Sequence, residues 1–263
     1  MKWRSFQLNT SARCVDMNGD AIFNLFYQKK IVIAGPCAVE SKKQIMTIAR
    51  ALKELNVDFL RGGCFKARTS PDSFQGLGFL ALDYLLEAKA ETGLPIVVEI
   101  TSENQLERYI NDVDVIQVGS RNMQNFELLK ALSGTDKPIL LKRGFSATYQ
   151  EWLNASRYIT MYNHRVILCE RGIRSFETET RNVLDLQAVP VMQSKTKLPI
   201  IVDPSHAAGR ADIIPTMCKG AFAVGANGIM VEVHNEPEKA LCDKNQALNL
   251  KQFEAIMGAI QNV

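Results

Sequence analysis

The chain has 263 residues, 46% of them hydrophobic and 22% charged, with a formal net charge of +3. That composition excludes a disordered chain, and the near-balance of charge excludes the dense Lys/Arg surplus of a nucleic-acid binder. The length suits one large α/β barrel, typically of about 250 residues, or two ordinary domains.

The first thirty residues, MKWRSFQLNTSARCVDMNGDAIFNLFYQKK, carry no secretory h-region and no helix-pair or sheet pattern. They are too few for a domain. We read residues 1–30 as an N-terminal extension, a hairpin or arm that plugs the following domain or meets another subunit. No stretch reaches about 18 uninterrupted apolar residues, so no membrane span is expected. The six cysteines are dispersed without a CxxC pair and read as reduced thiols of a cytoplasmic protein.

From residue 31 onward, short β-branched runs alternate with longer stretches whose apolar residues recur at spacings of three and four. The candidate strands cover 31–35, 58–62, 95–100, 115–119, 138–142, 165–170, 199–204 and 228–233. Helical patterns cover 41–55, 76–93, 125–134, 147–162, 211–226 and 250–263. Runs such as PIIVD and PILLK lack polar alternation, as strands buried on both faces should. Eight strand-helix pairs predict a (β/α)8 TIM barrel over residues 31–263, ahead of a doubly wound open sheet. No linker-like or low-complexity tract divides it.

In such a barrel the chemistry collects at the C-terminal ends of the strands. Those ends carry a cationic set: Arg61, Lys66, Arg68, Arg121, Lys142, Arg143, Arg171, Arg174 and Arg210. Cations gathered at one mouth repel each other unless anions share the space, and guanidinium forks suit phosphate and carboxylate. A substrate with two or three anionic groups is therefore expected. The alternative for each arginine singly is an exposed loop charge. A second set, Cys37, His206, Glu232 and Asp243, offers a thiolate, an imidazole and two carboxylates that could hold one divalent metal ion. Its mixed softness suits Mn, Fe, Co or Zn better than Mg or Ca. Cys37 could instead be a buried apolar thiol, His206 a general base, and His234 competes for a ligand role.

The strand ends AGPCAVES (34–41), RGGCFKARTSPDSFQGLG (61–78), QVGSRNMQNFELL (117–129), KPILLKRG (137–144), ILCERGIRSFE (167–177), IVDPSHAAGR (201–210) and MVEVHNEPEKALCD (230–243) resemble those of 3-deoxy-D-arabino-heptulosonate 7-phosphate synthases. The similarity is to the compact type I beta branch, related to 3-deoxy-octulosonate 8-phosphate synthases, and runs from about residue 31 to the end. It implies condensation of phosphoenolpyruvate with erythrose 4-phosphate, the first step toward chorismate and the aromatic amino acids, and a homodimer or homotetramer. The metal set carries over to Cys37, His206, Glu232 and Asp243. The phosphoenolpyruvate site carries over to Arg61, Lys66, Glu99 through water, Ser120, Arg121, Lys142, Arg171 and His206, and the aldose phosphate site to Arg68, Thr69 and Ser70. Lys66 is expected to donate a proton to the aldehyde oxygen, with a pKa lowered by Arg61 and Arg68. His206 or a metal-bound water is expected to activate the attacking water, and Cys37 and Glu99 complete the catalytic set.

The family's usual Lys-Pro-Arg-Thr is Lys-Ala-Arg-Thr here, at 66–69. Octulosonate synthases carry Lys-Ala-Asn-Arg, but the inserted Asn is absent, so loop length favours erythrose 4-phosphate. The competing readings are an octulosonate synthase using arabinose 5-phosphate, a catalytically idle sugar-phosphate-binding barrel, and a Schiff-base aldolase using Lys142. Cys242 adjoins Asp243 and could join Cys37 in a disulfide on oxidation, against the alternative of an inert buried thiol. The thirty residues ahead of the barrel leave no room for the regulatory domain many relatives add, so feedback through such a domain is not expected.

Overall fold

The computed structural model describes residues 18–67 and 70–260. Eight strands close into a parallel barrel in sequential order. They are β1 (Ile31–Gly35), β2 (Phe59–Arg61), β3 (Ile96–Ile100), β4 (Val115–Val118), β5 (Ile139–Lys142), β6 (Val166–Glu170), β7 (Ile200–Val202) and β8 (Gly228–Glu232). Closure is made by β1 against β8, with Ile31 beside Gly228 and Gly35 beside Glu232. Each strand lies within the range read from sequence, shortened by up to three residues.

Ten helices accompany them among the described residues: α1 (Gly19–Gln28), α2 (Lys42–Glu54), α3 (Phe79–Thr92), α4 (Leu106–Asp112), α5 (Phe126–Ser133), α6 (Tyr149–Thr160), α7 (Ala188–Lys195), α8 (Pro204–Ala208), α9 (Ile214–Ala223) and α10 (Leu250–Ile260). Capping follows the sequence where polar residues precede apolar periodicity. Ser41 accepts from Gln44 N, and Thr148 with Glu151 closes a reciprocal capping box on α6. No helix among the described residues is long and apolar enough to cross a membrane.

The described part of the N-terminal extension is a helix; residues 1–17 lie outside the described residues. Asn18 caps α1 by accepting from Ala21 N at 2.9 Å. Ile22, Phe23 and Phe26 share one face and are buried against the lower barrel interior. Phe26 stacks on Phe59 at 5.6 Å between ring centroids, and Arg165 grips Asp20 with two bonds of 2.7 and 3.0 Å.

The barrel interior divides by height. Its lower part is apolar, with Ile31, Ile33, Phe59, Val97, Val115, Leu140, Ile167, Ile201 and Met230 in one cluster with α1. Because side chains alternate along a strand, the next inward position is two residues further on. On six of the strands that position is Arg61, Glu99, Gln117, Lys142, Asp203 or Glu232. The same alternation that fills the bottom with aliphatics therefore delivers a ring of polar groups to the top.

Candidate active site

Two of those groups, Glu99 and Lys142, border a cavity of about 180 Å³ at the C-terminal mouth, lined also by Lys66, Ser73, Gly119, Ser120, Arg121, Phe145, Arg171, Arg181, His206 and Asp243. At one side, single ligating atoms of Cys37, His206, Glu232 and Asp243 all lie within 4.8 Å of one another. Cys37 Sγ is 3.3 Å from Asp243 Oδ2, and His206 Nε2 is 3.1 Å from Glu232 Oε1. One thiol, one imidazole nitrogen and two carboxylates converging this closely fit a single divalent ion. Asp243 holds a φ of 53°, an uncommon left-handed conformation for a non-glycine residue, concentrated here at a ligating position.

The local sequence explains how His206 is aimed. In Asp203-Pro204-Ser205-His206, Asp203 is the N-cap of α8 and Pro204 its first residue. Asp203 Oδ1 accepts from His206 N at 3.0 Å, and its Oδ2 contacts His206 Nδ1 at 2.7 Å. The second contact leaves Nε2 facing the ligand cluster, the carboxylate–histidine arrangement that orients metal ligands. Ser205 Oγ accepts from Glu232 N at 2.9 Å, tying α8 to β8.

Burial alone would lower the His206 pKa, but Asp203 and Glu232 outweigh it and raise it to about 9. Burial would raise both carboxyls, yet His206 with Lys142 holds Asp203 well below the usual range, and His206 with Arg61 does the same for Glu232. Cys37 is pushed well up by its hydrogen bond with Cys242, by burial and by Glu232. These are the states of the site without a bound cation, whose charge would reverse the pull on Cys37.

Lys66 departs from expectation. Burial lowers its pKa, but the facing Cys37 and Glu99 side chains outweigh both burial and Arg61, and the ammonium is held above the usual lysine range. The sequence shows the nearby arginines but not the acidic groups brought in by other parts of the chain. Lys66 Nζ donates to Cys37 O at 3.1 Å.

Arg61 is buried and donates to Glu232 Oε1 at 2.6 Å, so it braces a ligand from beneath and is not among the cavity-lining residues. Lys142 pairs with Asp203 while lining the cavity. Arg171 Nη1 and Ser120 Oγ are buried with no protein partner. Both belong to cavity-lining residues, so each leaves a polar group open to whatever occupies the cavity. Glu99 Oε2 accepts from Gln117 Nε2 at 3.1 Å.

Other expected residues lie elsewhere. Arg143 is spent on Glu170 and Asp185, at 2.9 and 2.8 Å, and holds the barrel wall. Arg210 pairs with Asp212 at the surface. Ser70 Oγ accepts from Asp72 N at 3.3 Å and does not line the cavity, whereas Ser73 does. Arg68 and Thr69 lie outside the described residues. Both Cys37 and Cys242 are free thiols in one small buried cluster with Ala38. His234 is not in the ligand cluster; it contacts Gln44 and Glu40 at 2.9 and 3.4 Å.

Sequence reasoning missed Asp203, Gln117, Phe145, Arg181 and Gln246. Gln246 Nε2 donates to Glu232 Oε2 at 2.6 Å, and Arg181 Nη1 lies 3.3 Å from Asp243 Oδ1. The first two could have been found by counting two residues beyond Ile201 and Val115. The other three sit on loops, where no periodicity marks them.

The sequence profile of the DAHP synthetase I family matches residues 25–263. A phospho-2-dehydro-3-deoxyheptonate aldolase of Thermotoga maritima is 50% identical over 227 residues, covering 86% of this chain and 67% of that one. A 2-dehydro-3-deoxyphosphooctonate aldolase of Desulfosudis oleivorans is more distant, 31% identical over 253 residues and 88% of each chain. The crystal structure of the Thermotoga maritima enzyme aligns with a TM-score of 0.86 at 49% identity, covering 89% of this chain and 69% of that one. A truncated form of 3-deoxy-D-arabino-heptulosonate 7-phosphate synthase from the same organism gives 0.83 at 44% identity, with 89% and 86% covered. The matched region takes in the barrel and every residue of the cavity, and the chain belongs to the DAHP synthetase I family.

Proposed function

We propose that this cavity condenses phosphoenolpyruvate with D-erythrose 4-phosphate and water, giving 3-deoxy-D-arabino-heptulosonate 7-phosphate and inorganic phosphate. The activity is that of a 3-deoxy-7-phosphoheptulonate synthase, an aldol-type transferase. The observation that carries the reading is one cavity that meets a four-ligand cluster at His206 and Asp243 and is also lined by Arg171, whose buried Nη1 has no hydrogen-bond partner.

Cys37, His206, Glu232 and Asp243 would hold a divalent ion, with Mn, Fe, Co or Zn suited to the donor set, and it would supply Lewis acidity at the aldehyde oxygen. Arg121, Lys142, Arg171 and Ser120 Oγ bind the phosphate and carboxylate of phosphoenolpyruvate. Arg68, Thr69 and Ser70 belong to the sequence that would take the aldose phosphate. The new carbon–carbon bond joins C3 of the enol to the aldehyde carbon. Lys66 Nζ, firmly protonated, donates to the aldehyde oxygen and yields its proton only as that oxygen becomes an alkoxide, a far stronger base.

Water then adds to C2, and the C2–O bond to phosphate breaks. Both His206 nitrogens face carboxylates, so neither is free to take the water's proton. Glu99, a cavity-lining carboxylate, is the remaining base and holds that water. The test offers phosphoenolpyruvate with erythrose 4-phosphate or arabinose 5-phosphate and measures phosphate release with EDTA and after metal add-back. Turnover with erythrose 4-phosphate, lost in EDTA and restored by metal, is expected. Turnover preferring arabinose 5-phosphate moves the chain to octulosonate synthesis, and none with either leaves a binding barrel.

A further inference from the structure

The arginines at and around the cavity mouth are held in two ways. Arg143 is neutralised by Glu170 and Asp185, with its Nη1 donating to both and its Nε to Ala147 O. Arg121, Arg171 and Arg174 have no carboxylate partner among the described residues. What they share is the ring of Phe145, three residues beyond Lys142 on the loop after β5. The guanidinium carbons lie 4.6 Å from its centroid for Arg171, 5.5 Å for Arg121 and 5.6 Å for Arg174. Arg174 N also donates to Phe145 O at 2.6 Å, which pins the loop after β6 to the loop after β5.

Resting on the function proposed above, we propose that Phe145 is a positioning residue that gathers these three guanidiniums around its ring, so that the N–H edges of Arg121 and Arg171, the two that line the cavity, stay free for the anionic groups of phosphoenolpyruvate. A carboxylate in the same place would also relieve the repulsion, but it would occupy the donors and cancel the charge that the substrate needs. An aromatic face attracts a cation without accepting its in-plane N–H groups. The buried Arg171 Nη1, without a protein partner, is the donor kept in reserve by this arrangement. Phe145 is half-buried and borders the cavity, so its ring fixes the arginines from the wall.

The test compares Phe145→Leu and Phe145→Met, which keep apolar bulk without a π face, with Phe145→Tyr, which keeps the face. Dissociation constants for phosphoenolpyruvate and for inorganic phosphate are read by calorimetry, alongside KM and kcat. Leu and Met should weaken both ligands and raise the phosphoenolpyruvate KM about fivefold to thirtyfold, with kcat at saturation within about twofold; Tyr should stay within about threefold of the parent. If Phe145→Leu does not fold, Phe145→Met carries the comparison. Parental affinity in the Leu or Met variant, or equal loss in the Tyr variant, overturns the inference. A parent protein that binds phosphoenolpyruvate but turns over neither aldose overturns the proposed function instead, while the calorimetric comparison still reads the role of Phe145.

Discussion

Gly119 follows β4 directly beneath the carboxylate of Glu99, and substituting alanine there is a one-carbon test of the site. A Cβ at Gly119 would lie 2.0 Å from Glu99 Oε1 and 2.9 Å from its Cδ. The backbone is already suited to alanine, with φ at −69°, so the substitution itself adds no conformational strain. Loss of unfolded-chain freedom would even favour the fold by about 0.4–1 kcal/mol. The whole effect falls on Glu99, which must retreat by at least about 1 Å to reach ordinary contact distance. That movement breaks its 3.1 Å bond with Gln117 Nε2. A misplacement of about 1 Å costs on the order of a hundredfold in rate. We expect Gly119→Ala to lose about a hundredfold in kcat for phosphate release, with its thermal midpoint close to the parent's. Gly134→Ala is the control, since its Cβ meets only Ala131 O at an ordinary 3.6 Å. Turnover of Gly119→Ala within about threefold of the parent would refute the placement of Glu99 as the water-holding carboxylate.

Metal loading should release protons, because His206 with its pKa raised to about 9 is charged at pH 7.5 and Cys37 is a thiol, and both must deprotonate to bind. Calorimetry in two buffers of different ionisation enthalpy should show about two protons released per ion and affinity rising with pH; no release would contradict the ligand set. Arg61→Met should cost the metal-free protein about 3 kcal/mol in urea unfolding, because it strands the fully buried Glu232 with only His206 and Gln246 for partners. Phe26→Ala should cost about 3–5 kcal/mol by opening a cavity at the barrel bottom, with kcat unchanged because the catalytic mouth lies at the other end; a selective fall in kcat would show that the two ends communicate.

What the sequence made legible follows from which features are periodic. The strands were readable because each is a short apolar run between helical stretches, and the barrel follows from their number. Helices α4 and α8, of seven and five residues, are shorter than any window in which a period of 3.6 can be seen. Helix α7 holds Pro190 in its first turn, where it is tolerated but breaks the pattern. Helix α1 shows its apolar face only when the barrel bottom is there to receive it.

The site divides along the same line. Arg61, Glu99, Lys142 and Glu232 are strand-borne, and their direction is set by the alternation that buries Phe59, Val97, Leu140 and Met230. Arg143 and Arg171 look alike in sequence, each one residue beyond its strand, yet one is tied into the wall by Glu170 and Asp185 while the other keeps a free donor beside Phe145. Their difference is not in the arginines but in neighbours brought from other parts of the chain. The same holds for Lys66, whose sequence neighbour Arg68 suggests a lowered pKa while Cys37, on the loop after β1, and Glu99, on β3, reverse its sign. Charge counts along a chain therefore locate a cationic mouth, but whether a given arginine keeps a donor open is decided by the neighbours that other parts of the chain bring to it.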